Sequence, residues 1–361
     1  MVNIFFVGGT GHIGGAVLDQ LVQKYPEVTV KALVRDEQKA GRLTRKYPKV
    51  ECVIGDTLSP EILEKASRES DLVINTSPDV THDKGIRAIL GGLKSHGGPK
   101  RYYIHTSGAS LIWDEPTGSK DARWWDDISD AQKIAALKGE VYTHAVTDKI
   151  VRDEAAHVNV AIVSPGFVGG LSPSIEHPCP ITTPALFLTS RAFKSGFQIA
   201  QGENTHAWIH VHDLARIFLV LVDNAIAGLS GKESEPLPFE LWGPEAYYFG
   251  TGEDVSFGKF ITSLAPVLKQ HGVIESTDIK SVSVTEAARA SIGGPDYNPD
   301  APPPALDSWA MHIAIMYGIN MRIRASKMEK LNWKPEKGSI IDTFPEIVTE
   351  YLKLEKTNGG E

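Results

Sequence analysis

Cysteine is nearly absent: Cys52 and Cys179 are the only two among 361 residues. Two thiols in so long a chain do not make a disulfide framework, which points to a reducing compartment and a cytoplasmic protein. Cys52 sits in an apolar strand-like run and reads as a buried, inert thiol. Cys179 lies in the loop His177-Pro178-Cys179-Pro180, where a thiol has room to react. Basic charge is also in short supply. Lys and Arg number 37 against 45 Asp and Glu, a formal charge of −8. Such a chain is a poor counterion for a phosphate polymer, so nucleic acid is not expected as a partner. Long apolar runs are missing too. Ile217–Val222 is typical, far short of the ~20 residues that cross a bilayer, so no membrane partner is expected. No Gly-x-Ser-x-Gly elbow supports a hydrolase triad.

What is present is ordinary globular material, 42% hydrophobic and 23% charged. The length suggests two structural parts. The chain begins on an apolar run, Val2–Val7, with no basic leader ahead of it, and this reads as the first core strand. Further strands are expected at Val28–Val34, Val50–Ile54, Leu72–Ile74, Tyr102–Ile104 and Val158–Val163. Helical stripes separate them: Val17, Leu18, Leu21 and Val22; then Ile86, Ile89, Leu90 and Leu93; then about Thr143 to His157. Ser59-Pro60-Glu61 has the cap hydroxyl, N1 proline and early acid of a helix start. Alternating strands and helices with unalternating apolar strands predict an α/β fold, a Rossmann-type doubly wound parallel sheet. After Pro165 the texture becomes loop-rich. The expected division is a dinucleotide-binding domain over 1–165 with a returning segment near 205–230. A smaller, interleaved substrate lobe is expected over 166–204 and 231–361.

Gly8, Gly11 and Gly14 stand between the first strand and the first helix, in Gly8-Gly9-Thr10-Gly11-His12-Ile13-Gly14. A sharp turn and close approach to a diphosphate both require missing Cβ atoms, and the helix N-terminus then offers N–H groups to the phosphate. Thr10, His12 and Ile13 belong to this binding loop. Arg35 follows the second strand directly, 21 residues after Gly14. With Lys39 it suits a 2′-phosphate, so NADP(H) is favoured over NAD(H), although Asp36 keeps NAD(H) open. Asp56 and Thr57 follow the third strand, where Asp56 can accept from an adenine amino group or act as a turn acid. Asn75, Thr76 and Ser77 end the fourth strand at the sheet's carboxyl edge, where a ligand crevice forms.

These motifs resemble the extended or atypical short-chain dehydrogenase/reductase family, which includes the epimerase/dehydratase and NmrA-like proteins. Trp208-Ile209-His210-Val211-His212-Asp213-Leu214-Ala215, Tyr248–Ser256 and Ala325–Pro335 continue the resemblance over most of the chain. It implies a Ser or Thr after strand five that polarises the substrate oxygen, and Thr106-Ser107 fit. It also implies a Tyr four residues before a Lys, placing both on one helix face. Lys149 fits the lysine, and the resemblance gives it the nicotinamide ribose as well. The tyrosine departs from the pattern, because Ala145 occupies its position. Tyr142 lies a further turn away, about 10 Å from Lys149 along a regular helix. His144 points elsewhere on a regular helix, although an irregular helix start would let either side chain serve. The resemblance places Pro165, Gly166, Phe167 and Val168 along the nicotinamide.

His206, His210, His212 and Asp213 cluster in sequence, but the resemblance accounts for the last three as a strand-to-helix junction, so no metal is expected. Trp124-Trp125-Asp126-Asp127 reads as a packed turn or, alternatively, a lid. The expected function is an NADP(H)-dependent oxidoreductase acting on a small-molecule carbonyl, alcohol or activated double bond, as a monomer or homodimer. The alternatives are an NAD(P)-dependent epimerase or isomerase of a sugar nucleotide or other small metabolite, and a non-catalytic NADP(H) sensor of the NmrA kind.

Overall fold

A computed structural model describes residues 2–77, 83–137, 144–232 and 236–358. The first half runs β1 (Asn3–Val7), α1 (His12–Lys24), β2 (Thr29–Val34), α2 (Glu37–Lys46), β3 (Val50–Ile54), α3 (Pro60–Arg68), β4 (Leu72–Asn75), α4 (Asp83–Lys94) and β5 (Tyr102–Thr106). A short β6 (Trp125–Asp126), α5 (Ala131–Ala136) and α6 (Ala145–Asp153) lead to β7 (Asn159–Pro165). The later half holds β8 (Phe167–Gly169), α7 (Thr183–Phe193), β9 (Gly196–Ile199), β10 (Thr205–His210), α8 (Val211–Leu229), β11 (Tyr247–Gly250), β12 (Glu253–Ser256) and α9 (Phe257–Gln270). It ends with β13 (Ile279–Val282), α10 (Val284–Gly293), α11 (Trp309–Met316), β14 (Ile323–Arg324), α12 (Ser326–Lys330) and α13 (Phe344–Asn358).

Seven strands form one parallel sheet in the order β11-β7-β5-β4-β1-β2-β3. Every residue of β4 and β5 is buried, as expected when helices cover both faces of a sheet. One helix group pairs α1 with α8, and another joins α3, α4 and α6. Tyr247–Gly250, read from the sequence as part of the later lobe, is instead an edge strand of the main sheet, in register with Ile162–Pro165. Its four residues are all buried, so the sheet extends by one strand that sequence order conceals.

The chain leaves this sheet abruptly. Gly166 separates β7 from β8, and β8 joins a second sheet beside β10 and β12. A side chain at Gly166 would collide with the Ala207 carbonyl, so only glycine permits this crossing. Trp125 and Asp126 form β6 and pair with Ile323 and Arg324, so the tryptophan stretch is a framework strand and not a lid. Asp127 is fully buried beyond it and accepts the N–H groups of Phe249 (3.0 Å) and Lys327 (2.9 Å). The buried Lys327 ammonium donates to the Glu245 carbonyl at 2.5 Å.

Neither cysteine is bonded to another. Burial pushes the Cys179 thiol up to about 11, which corrects the expectation of a reactive group there, because little thiolate is available. Burial also raises Cys52.

Asp127→Ala would strand two buried N–H groups and remove the charge facing Lys327. A loss of about 3 kcal/mol is expected in urea unfolding. A change below about 0.5 kcal/mol would show that the C-terminal segment is held by other contacts.

Candidate active site

The glycine loop is a cradle in which two of three glycines are sterically obligatory. Gly8 has φ +87°, and a Cβ there would lie 2.7 Å from Thr76 Oγ1. At Gly14 a Cβ would run into the Gly8 carbonyl and Thr76 Oγ1. Thr76 is locked in place by donating to the Val7 carbonyl at 2.9 Å. Gly11 differs: its nearest obstruction is the Gly8 oxygen at 3.3 Å, so its missing Cβ leaves open space. Gly11 is also the N-cap of α1, whose first N–H groups have no partner within the helix. This is the space and donor set a diphosphate requires.

The segment 172–178 is strapped across one side of this loop. Ser174 Oγ donates to the Thr10 carbonyl (2.7 Å), and Ser172 Oγ to the His12 carbonyl (2.6 Å). His12 Nδ1 lies 3.1 Å from the Pro178 carbonyl, and burial lowers the imidazole to about 4. Ile13 is half-buried and packs against the core.

Beyond β2, Arg35 is exposed and takes no partner among the described residues. Lys39 is already engaged: Glu176 of the strap holds it at 3.0 Å and also pairs with Arg42. Asp36 caps α2 by accepting the Lys39 N–H at 2.8 Å. Asp56 accepts from Leu58 N (2.9 Å) and Ser59 Oγ (2.7 Å), so the Ser59 hydroxyl turns to this turn and makes no helix cap bond. Thr57, Asn75 and Ser77 line a small cavity with Val7, Leu63, Gly85, Ile86 and Ile89. Asn75 is buried, donating to the Tyr103 hydroxyl (3.0 Å) and accepting from Ser77 N (3.0 Å).

At the end of β5, Thr106 is buried, its hydroxyl without a partner among the described residues. Ser107 Oγ donates to Asp148 Oδ2 at 2.8 Å. The Tyr247 hydroxyl reaches the same oxygen at 3.3 Å. Asp148 Oδ1 has no hydrogen-bond partner among the described residues and lies 3.7 Å from His105 Nε2. Burial raises the Asp148 carboxyl to about 7 and lowers His105 to about 3, so His105 is neutral at physiological pH. The half-buried His144 completes the cluster, its ring lying against Gly108.

The structure does not bring Lys149 to Ser107. Its side chain is 66% exposed and pairs with Asp153 at 2.6 Å. The buried face of α6 carries Ala145, Thr147, Asp148, Ile150 and Val151, which leaves Lys149 on the solvent face. Tyr142 lies outside the described residues. Pro165 is buried where β7 meets β11, and Gly166 makes the crossing already described. The Phe167 ring turns into the lobe and stacks on His206 at 4.3 Å, while Val168 pairs with Ile209. Among the described residues no group of three or more His, Cys, Asp or Glu could hold a metal.

Sequence reasoning passed over Asp148, Tyr247 and Glu176. The signal for Asp148 was available: its neighbours Ala145 and Val151 are the apolar positions of that helix, and they place residue 148, not 149, on the inner face.

Residues 8–169 match the family model described as NAD(P)H-binding. The match is confined to this part of the chain, and the whole has the Rossmann-like α/β fold seen in solved dehydratase and epimerase structures. The chain is 25% identical over 358 residues to Oxidase ucsJ of Acremonium, covering 96% of each. It superposes on dTDP-glucose 4,6-dehydratase from Bacillus anthracis, in complex with NAD, with a TM-score of 0.63 at 15% identity, covering 99% and 98% of the two chains. For vestitone reductase from alfalfa the TM-score is 0.58 at 15% identity, covering 99% of both. No helix among the described residues is long and apolar enough to cross a membrane.

Two outcomes follow from the loop geometry. Gly11→Val is expected to keep its melting temperature and weaken NAD(P)H binding at least tenfold, about 1.4 kcal/mol, by calorimetric titration. Gly14→Ala is expected to lower the melting temperature as well. Unchanged affinity in Gly11→Val would contradict the loop assignment.

Asp148 generates a pH test. Its folded carboxyl titrates near 7 against an ordinary 3.8, so between those values the folded state holds a proton that the unfolded chain has released. Stability is therefore lost as pH rises through that window. Asp148→Asn removes this loss. In urea unfolding, the variant is expected to gain on the native protein as pH rises from about 4 to about 7, and to hold that gain above it. A difference independent of pH would mean that burial does not perturb Asp148.

Proposed function

We propose that this protein is an NADP(H)-dependent oxidoreductase interconverting a carbonyl and an alcohol on a small molecule. The observation that carries the reading is the Ser107–Asp148 hydrogen bond at the same sheet edge as the glycine loop. A hydroxyl is fixed there, beside a buried carboxyl, where a bound dinucleotide would present its reactive end. The relative named an oxidase is consistent with this reaction class.

The residues fit the cofactor: the Gly8–Gly14 cradle leaves room for a diphosphate that any side chain at Gly11 would reduce. When bound, the nicotinamide supplies a hydride or takes one up. Amides at the start of α1 hold the diphosphate, and the Asn75–Ser77 edge borders the adenosine. Ser107 holds the substrate oxygen. With Asp148 protonated, Ser107 can receive its hydrogen bond and donate its own to a carbonyl. With Asp148 ionised, Ser107 donates inward and presents a lone pair to an alcohol. The buried carboxyl thus sets the direction of the Ser107 hydroxyl.

Arg35 supports NADP(H) over NAD(H), because among the described residues its guanidinium has no partner to compete with a 2′-phosphate. Lys39 contributes less, since Glu176 already holds it. The protein works in the cytoplasm as a monomer or homodimer, on a small-molecule substrate.

Arg35→Ala is expected to weaken NADPH about 10- to 150-fold in calorimetric titration, the equivalent of one charge-assisted contact, and to leave NADH nearly unchanged. Equal losses for the two cofactors would rule out a 2′-phosphate contact. Ser107→Ala is expected to lower turnover without altering cofactor affinity.

A further inference from the structure

Among the described residues of α6, no tyrosine or lysine stands on the face that meets the Ser107 cluster. Two other side chains stand on that face with the same spacing. His144 is the N-cap of α6, and its carbonyl accepts the Asp148 N–H at 2.9 Å. The Thr147 hydroxyl donates to that same carbonyl at 3.0 Å, so the backbone at His144 is fixed from two sides. Four residues separate His144 from Asp148, which puts them one turn apart on a single face. Asp148 lies deep and binds Ser107, while His144 lies nearer the sheet's carboxyl edge.

The imidazole is held there by an absence. A Cβ on Gly108 would fall 2.7 Å from His144 Nε2 and 2.9 Å from Cδ2. Gly108 follows Ser107 directly, so the ring rests on the backbone beside the hydroxyl that holds the substrate oxygen. Gly108 is in extended backbone with φ −157°, a conformation open to any residue, so its own dihedrals do not call for glycine. The space taken by His144 does. His312 faces His144 from α11; its ring stacks on Trp309 (5.4 Å) and lies tilted against Trp113 (5.0 Å). Burial, with His312 nearby, lowers the His144 imidazole to about 4, so the resting ring is neutral near pH 7.

We propose that His144 is the catalytic acid–base that exchanges a proton with the substrate oxygen held by Ser107. This rests on the oxidoreductase reading above. In the oxidation direction, the substrate's O–H proton moves to a neutral ring nitrogen of His144. The C–H hydrogen leaves as hydride to the oxidised nicotinamide dinucleotide, and the electrons of the O–H bond form the C=O bond. The alcohol is oxidised and the dinucleotide reduced, and the imidazolium releases its proton to water. Reduction runs the same steps in reverse.

The test combines a resonance readout with kinetics. In protein labelled with 13C at histidine Cε1, the His144 signal is identified by its loss in His144→Gln, with His144→Asn as a second identification should the first variant fail to fold. NADP+ is expected to move this signal, and 2′,5′-ADP, which lacks the nicotinamide, to leave it in place. With NADPH and 9,10-phenanthrenequinone as the carbonyl probe, turnover is expected to fall at least ~100-fold in His144→Gln. NADPH affinity is expected to stay within about twofold of the native value, as general acid–base loss spares binding. Gly108→Ala is expected to reproduce the loss by displacing an intact imidazole. If NADP+ binds by calorimetry without moving the His144 signal, or turnover persists in His144→Gln, this proposal is overturned and the oxidoreductase reading stands. If neither dinucleotide binds, both fall.

Discussion

The close approach of the β1–α1 turn to the end of β4 is the constraint on which the site depends. Gly8, Gly14 and the Thr76 hydroxyl occupy a volume with no room for another carbon. Thr76 is anchored to the carbonyl of Val7, the last residue of β1, which ties the two strands together just where they release their loops. The turn is therefore rigid before any ligand arrives. The order β4-β1-β2 places the glycine loop, the Asn75–Ser77 edge and Arg35 along one rim of the sheet, and β5 adds Ser107.

The later half adds a strand to the main sheet as well as forming smaller sheets of its own. β11 extends the main sheet and brings Tyr247 onto Asp148, so the Ser107–Asp148 cluster draws on the first half and the second. The strap of 172–178 binds the carbonyls of the glycine loop, and its Glu176 pairs with Lys39 and Arg42 of α2. Asp127 joins the backbone of β11 to that of α12. These long-range polar contacts join the two halves in addition to the apolar core they share.

Much of this was legible in the residues alone. The apolar runs at Phe5, Val73 and Ile104 marked fully buried parallel strands, and the glycine spacing marked the cradle, because both are local consequences of burial and steric space. The short strand Tyr247–Gly250 was assigned to the wrong part of the molecule, since local pattern carries no information about which edge a strand joins. On α6, spacing from a family pattern pointed to Lys149, but the burial pattern of Ala145, Asp148 and Val151 turns that lysine to solvent. A register shift of one residue on a helix moves a side chain by about 100°, enough to exchange a lysine for a buried carboxyl. Glu176 could not be read at all, because its role arises only when the strap folds back onto α2.

The central claim is that one rim of the sheet holds the dinucleotide and places its reactive end at Ser107. A crystal structure with bound NADP+ tests it most directly. The account predicts the diphosphate on the amides at the start of α1, the 2′-phosphate at Arg35, and the nicotinamide between Ser107 and Pro165, with Lys149 still paired to Asp153. A dinucleotide seated away from the Gly8–Gly14 turn, or a nicotinamide far from Ser107, would contradict it.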